Sequence, residues 1–183
     1  MKAEPWSFLG FAYTELKRYD EAIDAYHHAL RVNPEYYPAW YDLGKVYYDL
    51  KHYTQAIDAY KQVLRREPNH AEAWNGLGMG YEHLNRYNEA NDAYRQALRI
   101  DPDYVNAWSN LGVIYGELNR YSEAIDAFHQ ALHINPNYVR ALAGLGLIYH
   151  LSGNQTAALN TVKELQRIDP ILANKLLNEI GRR

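Results

Sequence analysis

Few residues in this chain could do chemistry, and each stands in a context that points elsewhere. His129 and His133 are four residues apart, with Asp126 one turn earlier. Two imidazoles at that spacing share a helix face and could hold zinc, but H-E-x-x-H is absent and no third ligand is dedicated to them. Gly76-Leu77-Gly78-Met79-Gly80 has the glycine density of a phosphate-cradling loop. Such a loop follows a strand and ends in G-K-[ST], and neither is present. Asn154-Gln155-Thr156 fits the glycosylation acceptor pattern, but its place in the chain reads as a turn between helices. No nucleophile, base and orienting group stand together. Catalytic residues, metal ligands and cofactors are therefore not expected.

Composition narrows the partners. The 183 residues carry 19 Lys and Arg against 22 Asp and Glu, a net charge of -3. Nucleic-acid binders draw most of their affinity from phosphate neutralisation and need a basic surplus, so no nucleic-acid partner is expected. Cysteine is absent, which removes disulfides and thiolate metal sites. No apolar run reaches signal-peptide or membrane-spanning length; the reading is a cytoplasmic chain with no membrane partner. Eighteen Tyr against three Phe, and eleven Gly within otherwise helical segments, call for a structural reason.

The elements that position these residues repeat. Pro34, Pro68, Pro102, Pro136 and Pro170 stand at steps of 34 residues. Trp6, Trp40, Trp74 and Trp108 keep the same step, with Leu142 next in line. Leu43-Gly44 and Tyr47 recur as Leu77-Gly78 and Tyr81, and again through Leu145-Gly146 and Tyr149. Ala22, Ala56, Ala90, Ala124 and Ala158 follow, each with Tyr26, Tyr60, Tyr94, Phe128 or Val162 four residues on. The pattern W-x2-L-G-x2-Y, A-x3-F/Y and P on this period resembles the tetratricopeptide-repeat family over residues 3–170.

Helical spacing agrees with the resemblance. Trp40, Leu43 and Tyr47 lie on one helical stripe. Gly44 lies on it too, where a side chain would hold two helices apart; close packing offsets the helix cost of about 1 kcal/mol. Ala56 is the matching small residue of the second helix. Lys51-His52-Tyr53 forms the turn between helices, with Thr54 the expected N-cap and Asp20, Asn88, Ser122 and Thr156 in the same place. The Asn33-Pro34 pair and its equivalents end the second helix, since proline disfavours αR in the preceding residue. The expected fold is all-α, a right-handed superhelical α-solenoid of antiparallel helix pairs. Repeats are placed at residues 3–36, 37–70, 71–104, 105–138 and 139–170, and a capping helix at 171–183. Leu172, Leu176, Leu177 and Ile180 form the cap's apolar face, with Lys175, Asn178, Glu179, Arg182 and Arg183 turned to water. At the other end, Trp6 lies near an apolar edge expected to be uncovered.

What the resemblance implies about function is a groove lined by the first helices of successive repeats. The family's carboxylate clamp of Lys and Asn residues is not reproduced: on the middle three repeats its places hold Tyr41, Lys45, Gly76, Asn106 and Asn110. Nor is the Asn ladder of the O-GlcNAc transferase repeats, whose places hold Phe8, Asp42, Gly76, Asn110 and Gly144. The lining implied here is Phe11, Tyr41, Asp42, Lys45, Tyr48, Glu72, Asn75, Met79, Glu82, Asn106, Asn110, Val113, Arg140 and Leu147. Gly76 and Gly144 remove side chains from it, which would admit a bulky ligand group or a helix. Glu4, Glu15, Asp42, Asp49, Glu72, Glu82 and Glu117 oppose Lys45 and Arg140, seven acids against two bases. Field complementarity then favours a protein or peptide partner with apolar anchors and basic flanks, held by an interaction scaffold with no enzymatic activity. Two alternatives stand beside it: a self-assembling scaffold that associates through the N-terminal edge, and the recruiting arm of a larger enzyme.

Overall fold

The computed structural model describes residues 2–181. Eleven helices follow one another among them: α1 (Glu4–Glu15), α2 (Tyr19–Val32), α3 (Tyr37–Asp49), α4 (Tyr53–Arg66), α5 (Ala71–His83), α6 (Tyr87–Ile100), α7 (Val105–Glu117), α8 (Tyr121–Ile134), α9 (Val139–Leu151), α10 (Gln155–Gln166) and α11 (Pro170–Ile180). No strand occurs among the described residues, and no helix is long and apolar enough to cross a membrane. The chain divides into two compact units, Met1–Ile100 and Asp101–Arg183. The first stacks the hairpins α1–α2, α3–α4 and α5–α6; the second stacks α7–α8 and α9–α10 and adds α11.

Every first helix turns into its partner by the same device. Lys17, Lys51, Asn85, Asn119 and Gly153 have φ of 57°, 62°, 56°, 57° and 84°. The amide of the next residue then donates five residues back: Arg18 to Tyr13, His52 to Tyr47, Arg86 to Tyr81, Arg120 to Tyr115 and Asn154 to Tyr149, at 2.8–2.9 Å. This is the Schellman ending, which satisfies carbonyls the helix leaves open.

The device corrects the expected caps. The second helices open at Tyr19, Tyr53, Tyr87, Tyr121 and Gln155, so Thr54, Asp20, Asn88, Ser122 and Thr156 lie inside the first turn. At the cap itself, Arg18, His52 and Arg120 make no side-chain cap bond, and only Asn154 accepts from an amide, that of Ala157 at 3.1 Å. The guanidiniums of Arg18, Arg86 and Arg120 instead lie 4.7, 4.5 and 4.6 Å above Tyr13, Tyr81 and Tyr115. They pair with Glu21, Glu89 and Glu123, and those hydrogen bonds hold the three carboxyls below the ordinary range.

Three second helices end as the prolines require: Asn33, Glu67 and Asn135, the residues before Pro34, Pro68 and Pro136, leave the helical region with φ of -142°, -121° and -132°. In the fifth repeat α10 stops at Gln166, and Asp169 before Pro170 instead caps α11, its carboxylate accepting from the Leu172 amide at 3.0 Å. The turn also explains why tryptophan keeps step with proline. Trp40, Trp74 and Trp108 donate their indole N–H to the carbonyls of Pro34, Pro68 and Pro102 at 2.9, 2.8 and 2.8 Å.

Inside each unit, aromatic rings of the second helices press on glycines of the first. A Cβ on Gly44 or Gly76 would come within 2.9 or 2.6 Å of the Tyr60 ring, which both glycines flank. Phe128 lies likewise between Gly112 and Gly144. Burial pushes the Tyr26 phenol up to about 12 and raises that of Tyr60 as well. The α11 helix buries Ala173, Leu176 and Ile180 against Leu142, Ala158, Val162 and Leu165. Leu177, expected on that face, is 42% exposed, because one residue advances the helix by about 100°. Arg182 and Arg183 lie outside the described residues. At α1, Leu9 is 39% exposed, whereas its counterparts Leu43, Leu77, Leu111 and Leu145 are buried. Phe8 and Phe11 are 72% and 49% exposed, so α1 presents an uncovered apolar face, while Trp6 stacks on His28 at 4.5 Å.

Candidate functional site

In the first unit, α3 and α5 bring together most of the expected lining. Tyr41 stacks on His70 at 5.0 Å and meets the Tyr60 ring at 6.1 Å. The Lys45 ammonium lies 5.5 Å over the Tyr41 ring and 3.5 Å from Asp42 Oδ1. Asp42 keeps 24% of its side chain exposed. Burial raises its carboxyl above the ordinary range, and the nearby Lys45 charge offsets this only in part. Glu72 is exposed, with Oε2 3.0 Å from His70 Nδ1. The same Nδ1 accepts from the Ala73 amide at 3.3 Å, capping α5. The cap needs that nitrogen bare and the ion pair needs it protonated, so the two contacts exclude each other.

Farther along α3 and α5, a second cluster forms. Tyr48 Oη is 2.7 Å from His83 Nε2, and His83 stacks flat on Tyr53 at 4.5 Å and 5°. Glu82 is half-buried and accepts from the Tyr94 hydroxyl at 2.6 Å. Met79 is half-buried and receives the Asn75 amide on its sulfur at 3.4 Å. Asn75 itself is buried rather than presented, as is Asn110 in the second unit. Phe11 is exposed on α1. Sequence reading missed His70 and His83. The signal was available: Tyr48 and His83 are 35 residues apart, one more than the repeat, which makes them neighbours on successive first helices.

In the second unit, α7 and α9 carry the remaining positions. Asn106 accepts from the Tyr138 hydroxyl at 2.6 Å, and Arg140 is exposed. Val113 and Leu147 line a cleft of about 310 Å³ with Gly116, Phe128, Gly144 and Leu151. The role expected for Gly76 is corrected here, because the space in front of it is taken by the Tyr60 ring and not left for a ligand. At Gly144 the Cβ direction is likewise taken, by Phe128, but the glycine also borders the cleft. Two further clefts lie on the second-helix side, where no site was expected. One of about 550 Å³ is lined by Lys61, Leu64, Trp74, Tyr81 and Asp92. The other, of about 380 Å³, is lined by His129, Leu132, Leu142, Tyr149 and Glu164. His129 is engaged with Tyr149, Nε2 to Oη 2.9 Å, and His133 is exposed. Among the described residues no group of three His, Cys, Asp or Glu is placed to hold a metal.

Comparison with known proteins adds the following. The family model described as the cilia and flagella-associated protein 70 C-terminal domain matches residues 1–180. No curated protein matches the chain. The crystal structure of MamA is 26% identical, covers 91% of this chain and 97% of its own, and superposes with a TM-score of 0.82. PilW, described as a widely conserved type IV pilus biogenesis factor, is 24% identical over 98% of this chain and 86% of its own, with a TM-score of 0.86. YrrB, described as a TPR protein with an unusual peptide-binding site, is 21% identical over 97% of this chain and 92% of its own, with a TM-score of 0.78. The last two likenesses bear on the fold alone.

Proposed function

Because this chain belongs to the tetratricopeptide-repeat family described as the cilia and flagella-associated protein 70 C-terminal domain, we propose that it is a non-catalytic protein-binding scaffold. It holds a segment of a partner, apolar with basic flanks, on the face of its first helices. Asp42 carries this reading. Its carboxylate is mostly buried on α3, burial raises its pKa, and its ion pair with Lys45, which lies over the Tyr41 ring, spans 3.5 Å. A carboxylate so placed gains from a further cation, and a lysine or arginine of the partner would find tyrosine faces beside it. Asp49 and Glu72 are exposed on the same helices and extend the acidic character.

A peptide array probed with the full chain tests this. Bound peptides should combine Lys or Arg with Leu, Phe or Trp, and Asp42→Lys or Glu72→Lys should weaken them. Selection of acidic peptides, with both reversals silent, would overturn the charge reading. Binding should also weaken on acidification, from a pH above the ordinary carboxylate range, as Asp42 takes its proton.

One observation favours a second reading, self-association through α1. Phe8, Leu9 and Phe11 are exposed together on that helix, while the leucines in step with Leu9 are buried. Light scattering over a concentration series decides it: mass should rise with concentration and fall back in Phe8→Asp, and a constant monomer mass removes the idea.

A further inference from the structure

The two units differ at one place on their first-helix faces, and the difference is chemical. In the first unit that place is closed by three rings of this chain. Tyr48 meets Tyr53 edge-on at 5.6 Å, and Tyr53 stacks on His83. Sixty-eight residues on, two whole repeats later, Tyr121 stands for Tyr53, but Gly116 replaces Tyr48 and Leu151 replaces His83. The cleft of about 310 Å³ opens there, with Phe128 beside Gly144 and with Val113, Leu147, Ile148 and Leu151 around it. That volume is at the small end for ligand pockets, about 300–1,000 Å³, and suits a single large side chain. Glu117 and Asn119 complete the lining, Glu117 exposed and Asn119 accepting from the Tyr121 hydroxyl at 2.8 Å.

We infer that this cleft receives one aromatic side chain of the bound segment, in the place that Tyr48 fills within its own repeat, with a basic neighbour reaching Glu117. The inference rests on the peptide-binding reading above. Tyr121 presents a partly exposed ring to an incoming aromatic group, and Phe128, 1% exposed, forms the buried floor beneath it. The leucines, valine and isoleucine reward apolar burial. Leu151 stands where His83 accepts or donates to the Tyr48 hydroxyl, so a phenol would lose that partner here. The cleft therefore prefers Phe or Trp to Tyr.

The test is selection of a random dodecapeptide library on the immobilised full chain, followed by anisotropy titrations of one enriched, labelled peptide. Enriched peptides should share Phe or Trp beside Lys or Arg. Replacing the aromatic residue by Ala should weaken binding about tenfold or more, and Tyr should fall between. Leu151→Glu, at a position 41% exposed, should cost as much, and combining it with the Ala peptide should add little. Gly116→Tyr should also block the cleft; a Cβ there would lie 2.7 Å from Ile148 Cδ1, so the Leu151 variant guards against misfolding. Enrichment of peptides indifferent to Ala or to Leu151→Glu overturns this inference and leaves the peptide-binding reading standing. No enrichment at all overturns both.

Discussion

At the residue scale, the tryptophans are held by chemistry as well as bulk. Trp74 packs beside the repeat core and donates its indole N–H to Pro68, tying a helix start to the turn that precedes it. Phe would keep most of the apolar contact and lose the donor. Trp74→Phe should therefore destabilise by about 1 kcal/mol, the net worth of one hydrogen bond, read as a lower urea midpoint at unchanged slope. Trp6→Phe removes no such bond, since Trp6 stacks on His28, and is the control. Asp42 gives a prediction in pH. Its raised pKa means the folded chain holds that proton more tightly than the unfolded chain. Its contribution thus favours folding below the ordinary carboxylate range of about 4 and is lost as pH rises through the raised value. Asp42→Asn should be more stable than the parent at neutral pH, and the gap should close on acidification. A gap that is constant with pH would mean that burial of the charge is not what separates the two proteins.

At the scale of the element, the hairpin turns show how far sequence reading reaches. The second helix could be placed to within a turn, since Pro34 and its equivalents end it and Ala56 with Tyr60 mark its buried stripe. Its start could not, because Thr54 and Ser122 have the side chains of good caps while backbone geometry sets the actual cap two residues earlier, at His52 and Arg120. Lys17 and Lys51 carry no mark of the left-handed conformation they adopt, whereas Asn85, Asn119 and Gly153 do. The lining was legible only in part for the same reason. Repeat register placed Tyr41, Asp42 and Lys45 together, but not the rings of His70 and His83 across the next helix. These turns yield a paired prediction. A non-glycine residue in αL costs about 1–2 kcal/mol, and glycine loses about 0.5–1 kcal/mol of that advantage to its freer unfolded chain. Lys51→Gly should raise stability by up to about 1 kcal/mol, and Gly153→Ala should lower it by a similar amount. Thermal melts of both variants check the signs together.

At the scale of the whole molecule, each hairpin depends on its neighbours, so damage should stay local. Unit Asp101–Arg183 is closed by α11, whose Leu176 is 5% exposed and whose Cδ2 would lie 3.1 Å from a Cβ on Gly146. Removing that side chain leaves a cavity over Val162 and Leu165, and Leu176→Ala should cost about 2–4 kcal/mol. In a stacked repeat chain the stability of a hairpin is set by its own packing and by the interfaces on either side. The loss should therefore appear as faster amide exchange in α9, α10 and α11, which share that cluster, while α1 to α4 keep the protection they have in the parent. Hydrogen exchange read by mass spectrometry resolves the two regions in one experiment. If protection instead fell by the same factor in every helix, the chain would open as one cooperative body, and a partner bound on α3 and α5 would then stabilise α11 as strongly as its own helices.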